Sequence, residues 1–201
     1  MEVTRDHTIT PSQRANLLWE QIKALLLLQM TEIMDAIKTK DGKTQTAGKM
    51  MEGFVETALH ALGATFEKAG TQQSKDYRNV GGTGLNIEVK KTDNTTVIFN
   101  DTCPTKGLKY IVAATCHKTK KYEPNLLFLD GEEFLDGSQE WLEEYRKAID
   151  ALKDKYARGD NKKQLPGMMS VYPRPTYRAD ISTFLTPLAD PQNAPAPPHK
   201  E

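Results

Sequence analysis

Leu85-Asn86-Ile87-Glu88-Val89-Lys90-Lys91-Thr92 alternates apolar and polar side chains through Lys90. That period of two predicts a strand, with Leu85, Ile87 and Val89 on one face and Asn86, Glu88 and Lys90 on the other. Glu88 and Lys90 then project one pleat apart from a rigid element. Upstream lies Ser74-Lys75-Asp76-Tyr77-Arg78-Asn79-Val80, and between the two segments stands Gly81-Gly82-Thr83-Gly84, a tight-turn composition. Folding at that turn brings Asp76 beside Glu88 and Lys90. Two carboxylates at one end of a hairpin are hard oxygen donors suited to Mg²⁺, which keeps several waters and takes further oxygens from a phosphate. The ordinary reading of Glu-x-Lys on a strand is an exposed ion pair that contributes little, so the surroundings decide.

A helix is expected before this hairpin, from Thr46 to Leu62, with Met50, Phe54, Ala58, Ala61 and Leu62 inward and Gly63 as its αL cap. Glu52 and Glu56 lie one turn apart on it, a pairing that a solvated helix face usually explains. Asp76, Glu88-Val89-Lys90 and a preceding helix that carries a carboxylate together resemble the PD-(D/E)xK nuclease superfamily, and within it the type II restriction endonucleases. The resemblance runs from Gly48 to Leu129, less than half the chain, and rests on motif order.

It implies an α/β fold with a restriction-endonuclease-like core, a central mixed β-sheet flanked by helices. It implies Asp76, Glu88, Lys90 and Glu52 as catalytic residues, with Glu56 in reserve for Glu52. The ligands of Mg²⁺ would be Asp76, Glu88 and the carbonyl of Val89. The implied reaction is cleavage of double-stranded DNA at a short palindrome, within a restriction–modification system, to leave 5′-phosphate ends. The short Asp-to-Glu spacing points to the blunt-cutting branch, which approaches DNA from the minor groove. One position departs from the pattern: where the family places proline before the first aspartate, this chain has Lys75.

The 201 residues suffice for one domain with a proper core. Lys and Arg number 27, as do Asp and Glu, which argues against a polybasic binder but leaves room for a DNA enzyme with its cations on one face. Cys103 and Cys116 are too few and too far apart for a zinc site or a disulfide framework, and free thiols in a reducing cytoplasm are expected. No signal peptide is read at the start, and Leu25–Leu28 is too short a run to span a bilayer.

Residues Met1–Thr10 read as a loose arm. From 16 to 38, Leu18, Ile22, Leu25, Leu26, Ile33 and Ile37 follow helical spacing, with Gln29 as a polar break. Trp19, Leu27 and Leu28 widen that apolar face, which serves equally as core or as a homodimer contact. Short strands are expected at Ala64–Ala69, Thr95–Asn100 (pairing with the Glu88 strand), Tyr110–Thr115 and Asn125–Leu129. A helix from Ser138 to Tyr156 should bury Trp141 and Tyr145, and Pro173–Arg178 should be irregular.

Candidate DNA contacts are Gln72 and Gln73 before the hairpin, Asn100, Asp101 and Thr102 after it, and Lys118 in the most basic segment. A polar surface turn is the commoner role for the two glutamines, and an Asx-turn explains Asn100, Asp101 and Thr102 equally well. With the resemblance, residues 1–189 are expected to form a single catalytic and DNA-binding domain, and 190–201 a disordered tail. Two alternatives remain open: a structure-selective or repair nuclease on the same core, and a non-catalytic DNA-binding domain whose Asp76, Glu88 and Lys90 form only a surface ion network.

Overall fold

Thr10 caps the first helix of the described residues. Its Oγ1 accepts from the Gln13 N–H at 3.2 Å, and Gln13 Oε1 accepts from the Thr10 N–H at 2.9 Å, a capping box in front of α1 (Pro11–Leu28). Pro11 occupies a first-turn position where an N–H has no partner anyway. Thr10, expected to belong to a loose arm, is thus a helix cap, and residues 1–8 of that arm lie outside the described residues. In this computed structural model the described residues are 9–38, 44–69, 75–100, 104–135, 140, 141, 143–145, 147, 148, 151 and 176–189. The expected tail at 190–201 lies outside them.

The single helix expected over 16–38 is two. Gln29 breaks it with φ −103° and ψ 9°, and its N–H turns back to the carbonyls of Leu26 and Leu27. Its own carbonyl then accepts from Ile33 N at 2.9 Å, opening α2 (Met30–Lys38). α3 (Thr44–Ala61) closes at Gly63, which takes φ +63° as a C-terminal cap needs. Its buried stripe is Ala47, Met51, Val55, Ala58 and Leu59, not the Met50, Phe54, Ala58, Ala61 and Leu62 expected. Packing against α1, α2 and the sheet selects the stripe one residue on, which leaves Glu52 half-buried on the flank.

Among the described residues the strands are β1 (Glu67–Lys68), β2 (Tyr77–Val80), β3 (Leu85–Thr92), β4 (Thr96–Asn100), β5 (Lys109–Ala114), β6 (Asn125–Asp130) and β7 (Thr176–Asp180). The protein is mixed α/β: a five-stranded sheet in the order β1-β2-β3-β5-β6, flanked by helices, and a separate two-stranded β4–β7 ribbon. β3 and β5 run parallel; every other pair is antiparallel. The turn from β2 to β3 is the glycine turn expected. Gly81 stands at φ +62°, where a Cβ would also lie 2.8 Å from Leu18 Cδ2, so α1 packs directly on the turn.

β4 does not pair with β3 as expected. Both edges of β3 are taken, by β2 and by β5, so β4 turns off and joins β7 in the register Phe99↔Tyr177. Residues 176–178, expected to be irregular, are the start of that strand. Trp141, expected inside, is 66% exposed and covers its ring with Tyr145 one turn on, at 5.9 Å between centroids.

Alternation divides the core into two layers. Tyr77, Leu85, Ile87, Ile111 and Ala113 meet α1, α2 and α3 on one side of the sheet. Tyr110, Val112, Ala114 and Leu129 meet Val97, Phe99, Tyr177 and Ala179 of the ribbon on the other. Full burial of side chains such as Ile87 and Ile111 contributes about 1.5–3 kcal/mol each. Among the described residues no helix is long and apolar enough to cross a membrane.

Two glycines test this packing in opposite directions. A Cβ at Gly131 would stand 1.8 Å from the Thr105 carbonyl oxygen, whereas one at Gly53 on α3 meets nothing within 4 Å. Gly131→Ala should lower unfolding stability by about 3 kcal/mol, the upper range of overpacking. Gly53→Ala should raise it by about 0.5–1 kcal/mol through helix propensity. Urea midpoints read both, and equal effects would contradict the packing described.

Candidate active site

The antiparallel pair Tyr77↔Ile87 sets the geometry, since one step further out Asp76 stands across from Glu88. Ile87 faces the helices, so Glu88 and Lys90 face the ribbon side, level with Tyr110 and Val112 on the parallel neighbour. The carboxylates are held by each other's strand. Val89 N–H donates to Asp76 Oδ2 at 2.7 Å, and Lys75 N–H donates to Glu88 Oε2 at 2.6 Å. Lys90 Nζ lies 2.5 Å from Glu88 Oε1 and 5.7 Å from the centroid of the Phe99 ring.

The odd residue of the motif now has a physical reason. Lys75 adopts φ +80°, a left-handed conformation that aims its N–H at Glu88. Proline is locked near φ −65° and has no N–H, so it could neither take that conformation nor hold that carboxylate.

Burial, and next the Glu88 charge, push the Asp76 carboxyl up to about 6, against the opposing pull of the Val89 N–H. The Glu52 charge adds to the rise. α3 and the hairpin are tied by the Tyr77 hydroxyl, which donates to the Glu52 carbonyl at 2.7 Å, and burial raises that phenol so that it stays a donor. Glu56 is committed elsewhere: Lys68 Nζ sits 2.6 Å from its Oε2 and holds its carboxyl below the ordinary value, while His60 lies at 3.8 Å. Of the two helix carboxylates, Glu52 is thus the one left on the hairpin side.

Among the described residues no three His, Cys, Asp or Glu side chains form a closed metal cage. Mg²⁺ needs none, because one or two carboxylates plus water and substrate oxygens serve it. Asp76 and Glu88 fit that donor set. Each of their bonded oxygens keeps a lone pair, and the Glu88 repulsion that adds to burial in lifting Asp76 is what a divalent cation would relieve.

No known protein family, curated protein or solved structure matches this chain.

The DNA contacts expected from the sequence are spread differently. Gln72, Gln73, Asp101 and Thr102 lie outside the described residues. Asn100 ends β4 opposite Thr176, with its side chain also outside them. Lys118 is exposed and reaches Asp93 Oδ2 at 3.7 Å. Asp93 itself gathers the buried Lys91 ammonium, the Thr115 hydroxyl at 2.8 Å and His117 Nδ1 at 3.3 Å. Burial pushes its carboxyl up, and the bonds from Lys91 and Thr115 more than offset that, leaving it lowered. Beside it an open groove of about 600 Å³ runs between Lys91, Thr96, Ile98, Lys118 and Arg178. Sequence reading missed this groove, although the alternation of Thr176-Tyr177-Arg178-Ala179-Asp180 was the available signal for its β7 wall.

The raised Asp76 value has a sign that can be checked. The folded protein holds this proton more tightly than the unfolded chain, so without metal the Asp76 contribution falls as pH rises from 3.8 to about 6 and stays lost above. Asp76→Asn keeps an acceptor for the Val89 N–H and removes the charge. In metal-free buffer at pH 7 it should gain about 1–3 kcal/mol, and the gain should vanish below pH 4. A variant less stable than wild type at pH 7 would contradict the electrostatics described.

Proposed function

We propose that this protein is a Mg²⁺-dependent type II restriction endonuclease of the PD-(D/E)xK kind, cutting double-stranded DNA at a short palindromic site. The observation that carries the reading is the side-by-side placement of Asp76 and Glu88, each fixed by a main-chain N–H, with the Lys90 ammonium against Glu88. Surface ion pairs are seldom held at both carboxylates by the backbone, and like charges are not usually gathered where burial lifts one of them to about 6.

Asp76, Glu88 and the Val89 carbonyl would hold Mg²⁺, which when bound supplies charge neutralisation at the phosphate and an acidified water. The chain's own part is positioning. Asp76, just before β2, and Glu88, midway along β3, would fix the place of the scissile phosphate through the ion they hold. Lys90, oriented by Glu88 and the Phe99 ring, stabilises the hydroxide and the negative charge that grows on the phosphate oxygens. Glu52 supplies a further carboxylate on the α3 side. Attack of water on phosphorus breaks the P–O3′ bond, so the 3′-oxygen leaves as a hydroxyl and the phosphate stays on the 5′ end.

A palindrome calls for two copies of the chain related by a two-fold axis. The surface that supports a homodimer is α1, which exposes Leu17 at 54%, Leu27 at 47% and Leu28 at 83%. Cys116 is a buried free thiol, in keeping with a reducing cytoplasm.

The test is cleavage of mixed plasmid and phage DNA with Mg²⁺. Wild type should give discrete fragments sharing one short palindrome at their ends. Glu88→Gln, which keeps an acceptor for the Lys75 N–H, should abolish cutting while the protein stays folded. Lys90→Ala should slow cutting by about 10²–10³-fold with duplex affinity nearly unchanged. Wild-type turnover by Glu88→Gln removes the proposed site, and a Lys90→Ala loss seen only as weaker binding makes Lys90 a phosphate clamp.

A further inference from the structure

Alternation along the β4–β7 ribbon separates two surfaces. Val97, Phe99, Tyr177 and Ala179 point into the core, so Ile98 and Arg178 point out, directly opposite one another. Both are exposed, and Ile98 at 48% is an apolar β-branched side chain in open solvent. The inner face touches the candidate active site, because Phe99 lies under the Lys90 ammonium. The outer face borders the open groove that Lys91, Lys118 and Arg178 line.

We propose that the outer face of this ribbon reads the sequence of B-form DNA, with Arg178 contacting a guanine edge, Ile98 an adjacent thymine methyl and Lys118 a neighbouring phosphate. The choice of DNA as ligand rests on the nuclease reading above. The shape argues for the groove. A two-stranded antiparallel ribbon fits the major groove of B-DNA, about 12 Å wide, and not the deep narrow major groove of an A-form helix. This departs from the minor-groove approach that the family resemblance implies.

The chemistry argues for the residues. Arg presents two parallel donors to the O6 and N7 of guanine, and an exposed aliphatic group beside it matches the one methyl that the groove displays. The acidic groups facing this surface are already engaged. Asp93 is bonded by Lys91, Thr115 and His117. Asp180, also on the outer face, accepts from the Ser182 N–H at 2.9 Å and from its hydroxyl at 3.0 Å. Among the described residues the Lys118 ammonium pairs with Asp93 at a long 3.7 Å, and its side chain is 59% exposed, so it can turn to a phosphate.

Selection from a randomised duplex library tests the inference without depending on cleavage. The protein carries Lys90→Ala, and the same selection is run with Arg178→Ala, Arg178→Lys and Lys118→Ala added. The parent should enrich a short motif with an invariant guanine. Arg178→Ala should lose preference at that base by about 5–150-fold, the range for one bidentate contact, and hold random duplex within about threefold. Arg178→Lys should not restore it, since a point charge lacks the fork. Lys118→Ala should weaken every duplex alike and lower the salt slope by about one.

An unchanged motif with Arg178→Ala, no motif at all, or equal binding of an RNA duplex overturns the proposal. Discrete cleavage by wild type together with an Arg178-independent motif sinks this inference and leaves the nuclease. An Arg178-dependent motif with no cleavage of any DNA by wild type sinks the nuclease and leaves this inference.

Discussion

Two like charges sit together in this protein because the backbone holds both. Without the Val89 and Lys75 N–H groups, Asp76 and Glu88 would relax apart or take up a proton. Main-chain donors cannot rotate away as a lysine side chain can, so the pair stays where the β2–β3 hairpin puts it. The rest of the fold serves that hairpin. α1 closes on its turn through Leu18 and Gly81, α3 ties to it through Tyr77, and β5 fixes the far edge of β3. The strained Lys75 is the local cost, on the order of 1–3 kcal/mol for a non-glycine residue in the left-handed region.

That arrangement also explains why the site is poor in visible machinery. There is no closed ligand cage among the described residues. Its character is a half-satisfied electrostatic balance: one carboxylate is raised, the other is bonded to an ammonium, and both keep lone pairs outward. On the function proposed above, a cation with oxygen preference would complete it.

The sequence made local features legible and left long-range ones dark. The glycine turn, the alternation of β3 and the apolar runs of β5 and β6 are written in neighbouring residues, so the hairpin and the Asp76–Glu88 meeting could be read directly. Gln29 was visible as a polar break, but whether it dented or divided the helix depended on packing. The stripe on α3 was misplaced by one residue because Met50 and Met51, like Phe54 and Val55, are equally apolar and only the sheet chooses between them. The partner of β4 was out of reach: nothing around Thr96–Asn100 says that Thr176–Asp180 exists, and the prolines at 173 and 175 hide it. The bonds that define the site were equally hidden, since main-chain donors leave no mark in residue type.

The pairing of Asn100 with Thr176 also orders events in time. The β2–β3 hairpin closes over four turn residues, whereas the ribbon must bring together segments separated by β5, β6 and everything up to residue 175. Closing so long a loop costs more chain entropy than closing a hairpin, and contacts remote in sequence form late. The ribbon is therefore expected to dock last on a folded hairpin and to be among the first parts to open. A ribbon that opened ahead of the sheet would uncover the ammonium that lies against Phe99.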